Sequence, residues 1–220
     1  MPKFRYPLET AAQLAEASYR ADSHPSVKDK IARSLDQDDV QAHMLDNGVL
    51  LIPGSNSLMD YLRFNLRPLK IAGKKFIMTS SKAEAGASGT FWHQGFLQHA
   101  KVIYDWVEAG GAKPKYIIGH SLGAAATQIL TKSWRVAGVG FAAPRPRKNR
   151  GNMAHGKLCL CLNRSDDLVA ALPGSFHHIG KVEKIVARST VFGPDHAMRH
   201  YRKAVEEGQG SGQLPRNWPR

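Results

Sequence analysis

The sequence predicts a single α/β domain in which a mostly parallel central sheet is flanked by helices. The chain has 220 residues and 42% of them are apolar, which is enough to bury one sizeable core. Short apolar runs typical of buried strands occur at residues 116–118 and 158–162, and the first leads into a helical pattern at residues 124–130. We assign residues 1–207 to the domain and the Gly- and Pro-containing residues 208–220 to a mobile C-terminal tail.

The first elements along the chain are a helix and a hairpin. Residues 8–20 carry an alanine-rich amphipathic pattern that predicts a helix, and the polar residues 21–39 follow it. Two apolar runs, residues 40–45 and 49–52, flank Asp46-Asn47-Gly48. An Asn-Gly pair between such runs is a strong signal for a β-hairpin.

The remaining elements are strands and one long helix. Residues 75–79 predict a strand, and the glycine- and serine-bearing residues 80–90 predict a loop. Residues 136–141 complete the central strands, and a strand-like run covers residues 179–186. Apolar side chains at helical spacing predict a core-facing helix, and they are Trp92, Phe96, Ala100, Ile103 and Val107.

One pentapeptide indicates the chemistry. Gly119-His120-Ser121-Leu122-Gly123 has the pattern G-x-S-x-G and lies between a predicted strand and a predicted helix. On such a turn the serine hydroxyl is exposed, and the free N–H groups of the helix can bind a developing oxyanion. A side chain at Gly119 or Gly123 would collide with a neighbouring element. Ser121 is therefore the candidate nucleophile.

A serine nucleophile needs a histidine base and a carboxylate that orients it. Asp166 and Asp167 follow the apolar strand at residues 158–162, at the sheet edge where α/β proteins assemble their sites. The residues alone leave both aspartates open. Among the ten histidines, His196 lies at the start of a predicted helix, and we rank it above His200, which lies one turn deeper.

Five further segments match motifs of a known family in the same order. Residues 49–62, 91–97, 140–146, 167–173 and 195–201 have the sequences V-L-L-I-P-G-S-N-S-L-M-D-Y-L, F-W-H-Q-G-F-L, G-F-A-A-P-R-P, D-L-V-A-A-L-P and D-H-A-M-R-H-Y. Together with the serine pentapeptide, these segments resemble the class 3 lipases, the fungal triacylglycerol lipase type of α/β-hydrolase. The resemblance implies the α/β-hydrolase fold.

The resemblance also implies which residues form the site. The register of D-L-V-A-A-L-P selects Asp167 over Asp166, and the register of D-H-A-M-R-H-Y selects His196 over His200. Ser55 and the backbone N–H of Leu122 are implied as the oxyanion hole.

The reaction implied by the resemblance is hydrolysis of a carboxylic ester by a lipase or esterase. Ser121 attacks the ester carbonyl, His196 transfers the proton, and Asp167 fixes the imidazole tautomer. The substrate is then an acyl ester or a lipid, and the chemistry requires no metal and no cofactor.

Charge bears on the partners of the protein. The net charge is +13, and the densest basic run is residues 145–150, where Arg147 stands in place of a glycine common among relatives. This charge favours an anionic phospholipid substrate, as in a phospholipase A1, or peripheral contact with anionic lipid, although a solvated loop explains it as well. Specific nucleic-acid binding is not expected, because no recognition motif with stacking aromatics occurs. The alternative function is an inactive scaffold whose basic face binds a protein or a polyanion.

Three features suggest a compartment and a possible lid. Cys159 and Cys161 lie roughly 6.5–7 Å apart on one face of a strand, which predicts reduced core thiols. The sequence shows neither a signal-peptide pattern nor a transmembrane run, and we therefore expect a cytoplasmic protein. The apolar residues 58–67 occupy the neighbourhood of the family's lid, and an ordinary buried element explains them equally well.

Overall fold

The computed structural model describes residues 4–55, 68–186 and 196–219. Its helices are α1 (Leu8–Ala17), α2 (Gln94–Ala109), α3 (Leu122–Trp134) and α4 (Met198–Gly210). Its strands are β1 (Tyr6–Pro7), β2 (Ile31–Gln37), β3 (Val40–Leu45), β4 (Val49–Ile52), β5 (Leu69–Ile71), β6 (Lys74–Phe76), β7 (Ala83–Ala85), β8 (Phe91–His93), β9 (Tyr116–His120), β10 (Ala137–Phe141), β11 (Cys159–Arg164), β12 (Lys181–Ile185) and β13 (Asn217–Trp218).

The described strands form a mostly parallel central sheet, as the sequence predicts. Its order is β12-β11-β10-β9-β4-β3-β2. The strands from β4 to β12 in this order run parallel to one another, whereas β3 pairs antiparallel with β4 and β2 pairs antiparallel with β3. The carboxyl ends of the parallel strands therefore meet at one edge of the sheet, where side chains from separate segments can converge.

Helices cover both faces of this sheet. Successive residues of a strand point to opposite faces, and Ile117 and Ile118 of β9 accordingly belong to two different buried clusters. The cluster that contains Ile118 includes side chains of α1 and α4, and the cluster that contains Ile117 includes side chains of α2 and α3. The architecture is a single three-layer α/β domain within the described residues.

The predicted hairpin is confirmed, and one strand was missed. β3 and β4 pair antiparallel with Met44 opposite Leu50, and Gly48 in the turn has a φ of 85°. β2 lies inside the segment that we expected to be merely polar. It is an edge strand in which half-buried and exposed residues alternate, and its polar residues on the exposed face hid it from a reading of composition.

The C-terminal residues differ from the predicted mobile tail. α4 continues to Gly210, and β13 then pairs antiparallel with β1. Leu214 and Trp218 are buried, and the indole N–H of Trp218 donates to the carbonyl of Leu158 at 2.9 Å. Two apolar anchors are enough to fix a segment whose average composition is that of a loop.

The buried cysteines agree with a further expectation. Cys159 and Cys161 are both buried and unpaired in β11. Among the described helices, none has the length and apolarity that crossing a bilayer requires. The expected cytoplasmic location stays a prediction.

The packed C-terminus gives a direct test. Replacing Trp218 by Ala removes a side chain that is only 6% exposed and should lower the free energy of unfolding by about 3 kcal/mol. Urea denaturation measures this loss. The control Asn217→Ala, at the exposed neighbouring position of β13, should change stability by less than about 0.5 kcal/mol. Equal effects of the two substitutions would show that the tail does not pack as described.

Candidate active site

Ser121 lies in the sharp turn between β9 and α3. Its backbone has φ 57° and ψ −121°, a positive φ that a residue with a side chain rarely adopts. Its N–H donates to the carbonyl of Phe141 at 2.9 Å, and its own carbonyl accepts the N–H of Ala124 at 2.9 Å. These bonds tie the turn to β10 on one side and to the first turn of α3 on the other.

The two glycines of the pentapeptide are required by close approach. A β-carbon at Gly119 would lie 2.3 Å from Oγ1 of Thr127, and one at Gly123 would lie 2.0 Å from the carbonyl oxygen of Ile52. Both distances are far below van der Waals contact, and the second involves backbone that cannot rotate away. The steric role predicted for both glycines is confirmed.

The three side chains predicted to act together meet at this turn. Nε2 of His196 lies 2.7 Å from Oγ of Ser121, and Nδ1 of His196 lies 2.8 Å from Oδ2 of Asp167. All three residues are almost fully buried. With the proton on Nδ1 donated to the carboxylate, Nε2 is left to accept the serine hydroxyl. The structure thus brings the predicted set together, and its catalytic role stays a prediction.

Asp167 lies three residues after the end of β11, and its neighbours hold its carboxyl ionised. Burial alone would raise the pKa of this carboxyl, but hydrogen bonds from His196, Tyr201 and the N–H of Val169 outweigh it and lower the pKa below its ordinary value. The hydroxyl of Tyr201 donates to Oδ2 at 2.7 Å, and the N–H of Val169 donates to Oδ1 at 2.9 Å. Sequence reasoning assigned no role to Tyr201, since its contact depends on how α4 packs against β11.

The alternatives left open by the residues alone lie elsewhere. Asp166 forms an ion pair with Arg164 at 2.7 Å, away from the imidazole of His196. His200 accepts a hydrogen bond from Nε of Arg199 at 3.2 Å on α4. The choice of Asp167 and His196 therefore agrees with the geometry.

The two predicted oxyanion donors flank the serine. Leu122 is the first residue of α3, so its N–H has no acceptor within the helix. Ser55 follows β4 and faces the same cavity as Ser121. The Ser55 hydroxyl donates to Oδ1 of Asp39 at 2.9 Å, and Oδ2 of Asp39 accepts the N–H of Lys70 at 2.6 Å. The Ser55 hydroxyl is thus held by a carboxylate that sequence reasoning did not single out.

A cavity of about 320 Å³ opens at the serine turn. Its walls include Tyr19, Ser55, Ser121, His196 and Met198. A larger cavity of about 830 Å³ lies between α2 and α3, and none of the predicted site residues lines it. The smaller cavity is therefore the candidate substrate site.

A chain of hydrogen bonds connects the loop after β4 to the serine turn. The N–H of Gly54 donates to the hydroxyl oxygen of Tyr19 at 2.8 Å, and this hydroxyl lies 2.5 Å from Nδ1 of His120. Nε2 of His120 lies 2.9 Å from the carbonyl of His196, which can only accept. Nε2 therefore carries the proton and Nδ1 accepts the Tyr19 hydroxyl.

The imidazole of His120 is held neutral at the centre of this chain. Burial, followed by the effect of the neighbouring His196, lowers the pKa of His120 to about 3. A neutral ring is what the chain requires, because a protonated Nδ1 could not accept the Tyr19 hydroxyl. His120 and Tyr19 thus join three segments of the site without charge.

The basic run is less exposed than expected. Arg147 is buried, and its guanidinium donates to the carbonyls of Asn149 and Gly151. It serves the loop's own backbone, so the interpretation of residues 145–150 as wholly solvated is wrong at this position. Local sequence could not show this, because the loop closes around the arginine.

Two parts of the sequence-based expectations lie outside the described residues, and a third concerns metal ligands. The apolar segment 58–67 and Asp195 lie outside the described residues. Within residues 4–55, 68–186 and 196–219, no three His, Cys, Asp or Glu side chains are grouped as ligands for one metal ion.

Solved structures with a similar fold are fungal lipases. The Rhizomucor miehei lipase in its propeptide complex has a TM-score of 0.51 at 18% identity, over 89% of this chain and 76% of that chain. Lipase II from Rhizopus niveus has a TM-score of 0.57 at 15% identity, over 86% of this chain and 82% of that chain. The lipase from Rhizopus microsporus var. chinensis has a TM-score of 0.56 at 14% identity, over 84% and 75%.

These likenesses establish the fold of the chain. It is the α/β-hydrolase fold of fungal lipases, as the motifs predict. No protein-family model and no curated protein matches the sequence. The likeness is therefore one of structure, and the sequence identities are too low to assign the reaction of those lipases to this chain.

The hydrogen-bond chain through Tyr19 can be tested by one substitution. Tyr19→Phe leaves the Gly54 N–H and Nδ1 of His120 without their partner, and each unsatisfied buried group costs about 1–3 kcal/mol. We expect the free energy of unfolding to fall by about 2–4 kcal/mol in urea denaturation. Tyr104→Phe is the control, because that half-buried ring stacks on Trp134 and takes no part in the hydrogen bonds between Gly54, Tyr19 and His120. A Tyr19→Phe protein as stable as the control would contradict the role assigned to the hydroxyl.

His99 on α2 gives a pH test of the core beside the site. Neither of its ring nitrogens has a hydrogen-bond partner among the described residues. Burial, against a smaller effect of the Asp39 carboxylate, lowers the pKa of His99 from its ordinary value of 6.5 to about 3. Between these two values the unfolded chain binds a proton that the folded chain does not. Protonation of His99 in the unfolded chain therefore destabilises the fold progressively as the pH falls below 6.5.

Replacing His99 by Leu removes this pH-dependent loss of stability. Between pH 7 and pH 5 the stability of the wild-type protein relative to the variant should fall by about 2 kcal/mol, measured as free energies of unfolding in urea. Ile103→Val, another buried position on α2, should change stability equally at both pH values. A His99→Leu difference that does not change with pH would refute the assignment.

Proposed function

We propose that the protein is a serine carboxylester hydrolase of the lipase or esterase type. One observation carries this proposal: the imidazole of His196 bridges Ser121 and Asp167 with contacts of 2.7 Å and 2.8 Å. The fold shared with fungal lipases supports it, since it is the scaffold on which those proteins are built.

The proposed reaction begins at Oγ of Ser121. The hydroxyl proton passes to Nε2 of His196 while Oγ forms a bond to the acyl carbon, and Asp167 stabilises the imidazolium that results. The tetrahedral intermediate collapses when the ester C–O bond breaks, and His196 returns the proton to the leaving alcohol. Water then attacks the acyl-enzyme by the same route, releasing the carboxylic acid and restoring Ser121.

Two backbone N–H groups are assigned to the oxyanion. Leu122 offers the free N–H of the first residue of α3, and Ser55 offers its own N–H from the loop after β4. The Ser55 hydroxyl already donates to Asp39, so the backbone rather than the hydroxyl is the donor that we assign. Loss of one such donor typically costs about 2.7–4 kcal/mol of transition-state stabilisation.

The buried carboxylate of Asp167 explains the tautomer and the orientation of the His196 imidazole. Asp167 accepts three hydrogen bonds, which favours the carboxylate and gives the Nδ1 proton of His196 a fixed acceptor. The tautomer is thereby set, and the lone pair of Nε2 faces Ser121. A phospholipase A1-type preference belongs to this proposal as its finer form, and the surplus of positive charge supports it.

Covalent labelling tests the proposal. A fluorophosphonate should label the folded protein at a stoichiometry of about one, and Ser121→Ala should abolish labelling and lower turnover of p-nitrophenyl esters at least about 10³-fold. Ser133→Ala is the matched control, because this serine lies near the opposite end of α3 and its hydroxyl donates to the carbonyl of Ile129.

Two results would contradict the proposal. One is folded wild-type protein that neither labels nor hydrolyses esters, which would favour the inactive scaffold that binds a partner through its basic surface. The other is labelling that persists in Ser121→Ala. Circular dichroism of each variant shows that the protein is folded when it is tested.

A further inference from the structure

The candidate substrate cavity has an uneven distribution of charge. Among the described residues that line it, those charged at neutral pH with His neutral are Glu16, Arg20 and Arg199. Glu16 is the one acid among these three lining residues, and its carboxylate accepts a hydrogen bond from Nε of Arg202 at 2.6 Å, while Arg202 also pairs with Glu206 at 2.8 Å. The surplus charge of the cavity wall is therefore positive, and Arg20 and Arg199 supply it.

Among the described residues, neither of these two guanidinium groups is paired with an acid. Within the part of the chain that the structure describes, no carboxylate lies within ion-pair distance of Arg20 or Arg199. Nε of Arg199 donates to the ring of His200 at 3.2 Å, which leaves its two terminal nitrogens for a ligand. Both side chains are exposed, so they lie at the mouth of the cavity rather than in its floor.

Both arginines follow residues of the site closely in sequence, and both line the cavity that contains Ser121. Arg20 directly follows Tyr19, whose hydroxyl contacts the N–H of Gly54 beside Ser55. Arg199 lies in the first turn of α4, three residues after His196. The two cations therefore come from segments far apart in sequence, and both line the cavity that Ser121 lines.

We propose that Arg20 and Arg199 form an anion subsite that selects acyl esters whose alcohol part carries a phosphate monoester; the inference rests on the proposed esterase function. Guanidinium groups bind phosphate oxygens through paired, charge-assisted hydrogen bonds. A phosphate monoester carries a charge of about −1.5 to −2 at pH 7, which two arginines match better than the single charge of a carboxylate.

The subsite changes which ester reacts and leaves the chemistry as described. Oγ of Ser121 forms a bond to the acyl carbon, the acyl C–O bond breaks, and the phosphate-bearing alcohol departs with the proton from His196. Water then releases the acid. The phosphate ester bond itself is not broken, so the arginines are specificity-determining residues rather than catalytic ones.

A matched pair of soluble substrates tests the proposal. The esters are 1,2-dibutyrylglycerol 3-phosphate and 1,2-dibutyrylglycerol, which differ by the phosphate alone, and the release of butyrate gives kcat/KM for each at low ionic strength. A third ester, 2,3-dibutyryloxypropanoate, places a carboxylate where the phosphate would be. The variants are Arg20→Gln, Arg199→Gln and the double variant, and a neutral fluorophosphonate titrates the active fraction of each.

The control variant is Lys113→Gln. It removes one positive charge from an exposed residue before β9, at the sheet edge opposite the serine turn. It therefore matches each single arginine variant in net charge and differs from them in position.

The proposal predicts the ratio of kcat/KM for the phosphate ester to kcat/KM for the neutral ester in each variant. Wild-type protein should prefer the phosphate ester over the neutral ester by about 10- to 100-fold, and each single variant should lose about three- to tenfold of this ratio. The double variant should lose nearly all of it, and Lys113→Gln should keep the wild-type ratio. The carboxylate ester should fall between the other two.

Three results would overturn the subsite. A wild-type ratio near one, or a ratio unchanged in the double variant, would show that the arginines do not select the substrate. An equal loss in Lys113→Gln would show long-range attraction by the net charge, as in recruitment to an anionic surface. A carboxylate ester that matches the phosphate ester would remove the assignment to phosphate. Failure to hydrolyse any of the three esters would instead refute the esterase itself.

Discussion

The structure depends on the close approach of α3 to the parallel sheet at the serine turn. Gly123 packs against the backbone of Ile52, and Gly119 packs against Thr127 and the Gly123 carbonyl, at distances that exclude any side chain. This approach forces the positive φ of Ser121. The strain is held because β9 and β10 pair on one side and the helix continues on the other, so the serine is presented in one orientation.

Around this turn, segments far apart in sequence supply polar groups that are satisfied almost entirely by one another. Asp167 is buried and ionised because three hydrogen bonds offset its desolvation. The neutral His120 connects Tyr19 on the N-terminal segment to the backbone of His196. The site is consequently rigid for the same reason that it is stable, since moving one member leaves its partners unsatisfied in the interior.

Local sequence patterns predicted the elements whose conformation is determined by neighbouring residues. The Asn-Gly hairpin, the serine turn with its glycines and the core-facing helix follow from short-range sterics and periodicity. Asp167 and His196 could be chosen from family register, and the structure brings both to Ser121. Long-range contacts were beyond reach. No sequence pattern indicates the hydrogen bond between Tyr19 and His120 or the one between Ser55 and Asp39. The polar composition of their segments gave no indication of the edge strand β2 or of the buried Trp218.

The central claim is that Ser121, His196 and the N–H groups of Leu122 and Ser55 surround one reacting carbon. A crystal structure of the protein inhibited by an alkyl phosphonate tests this most directly, because the tetrahedral phosphorus imitates the intermediate. We predict a bond from phosphorus to Oγ of Ser121 and a phosphonyl oxygen about 2.7–3.1 Å from both N–H groups. A phosphonyl oxygen that points into solvent, or phosphorus bound to another residue, would contradict the account.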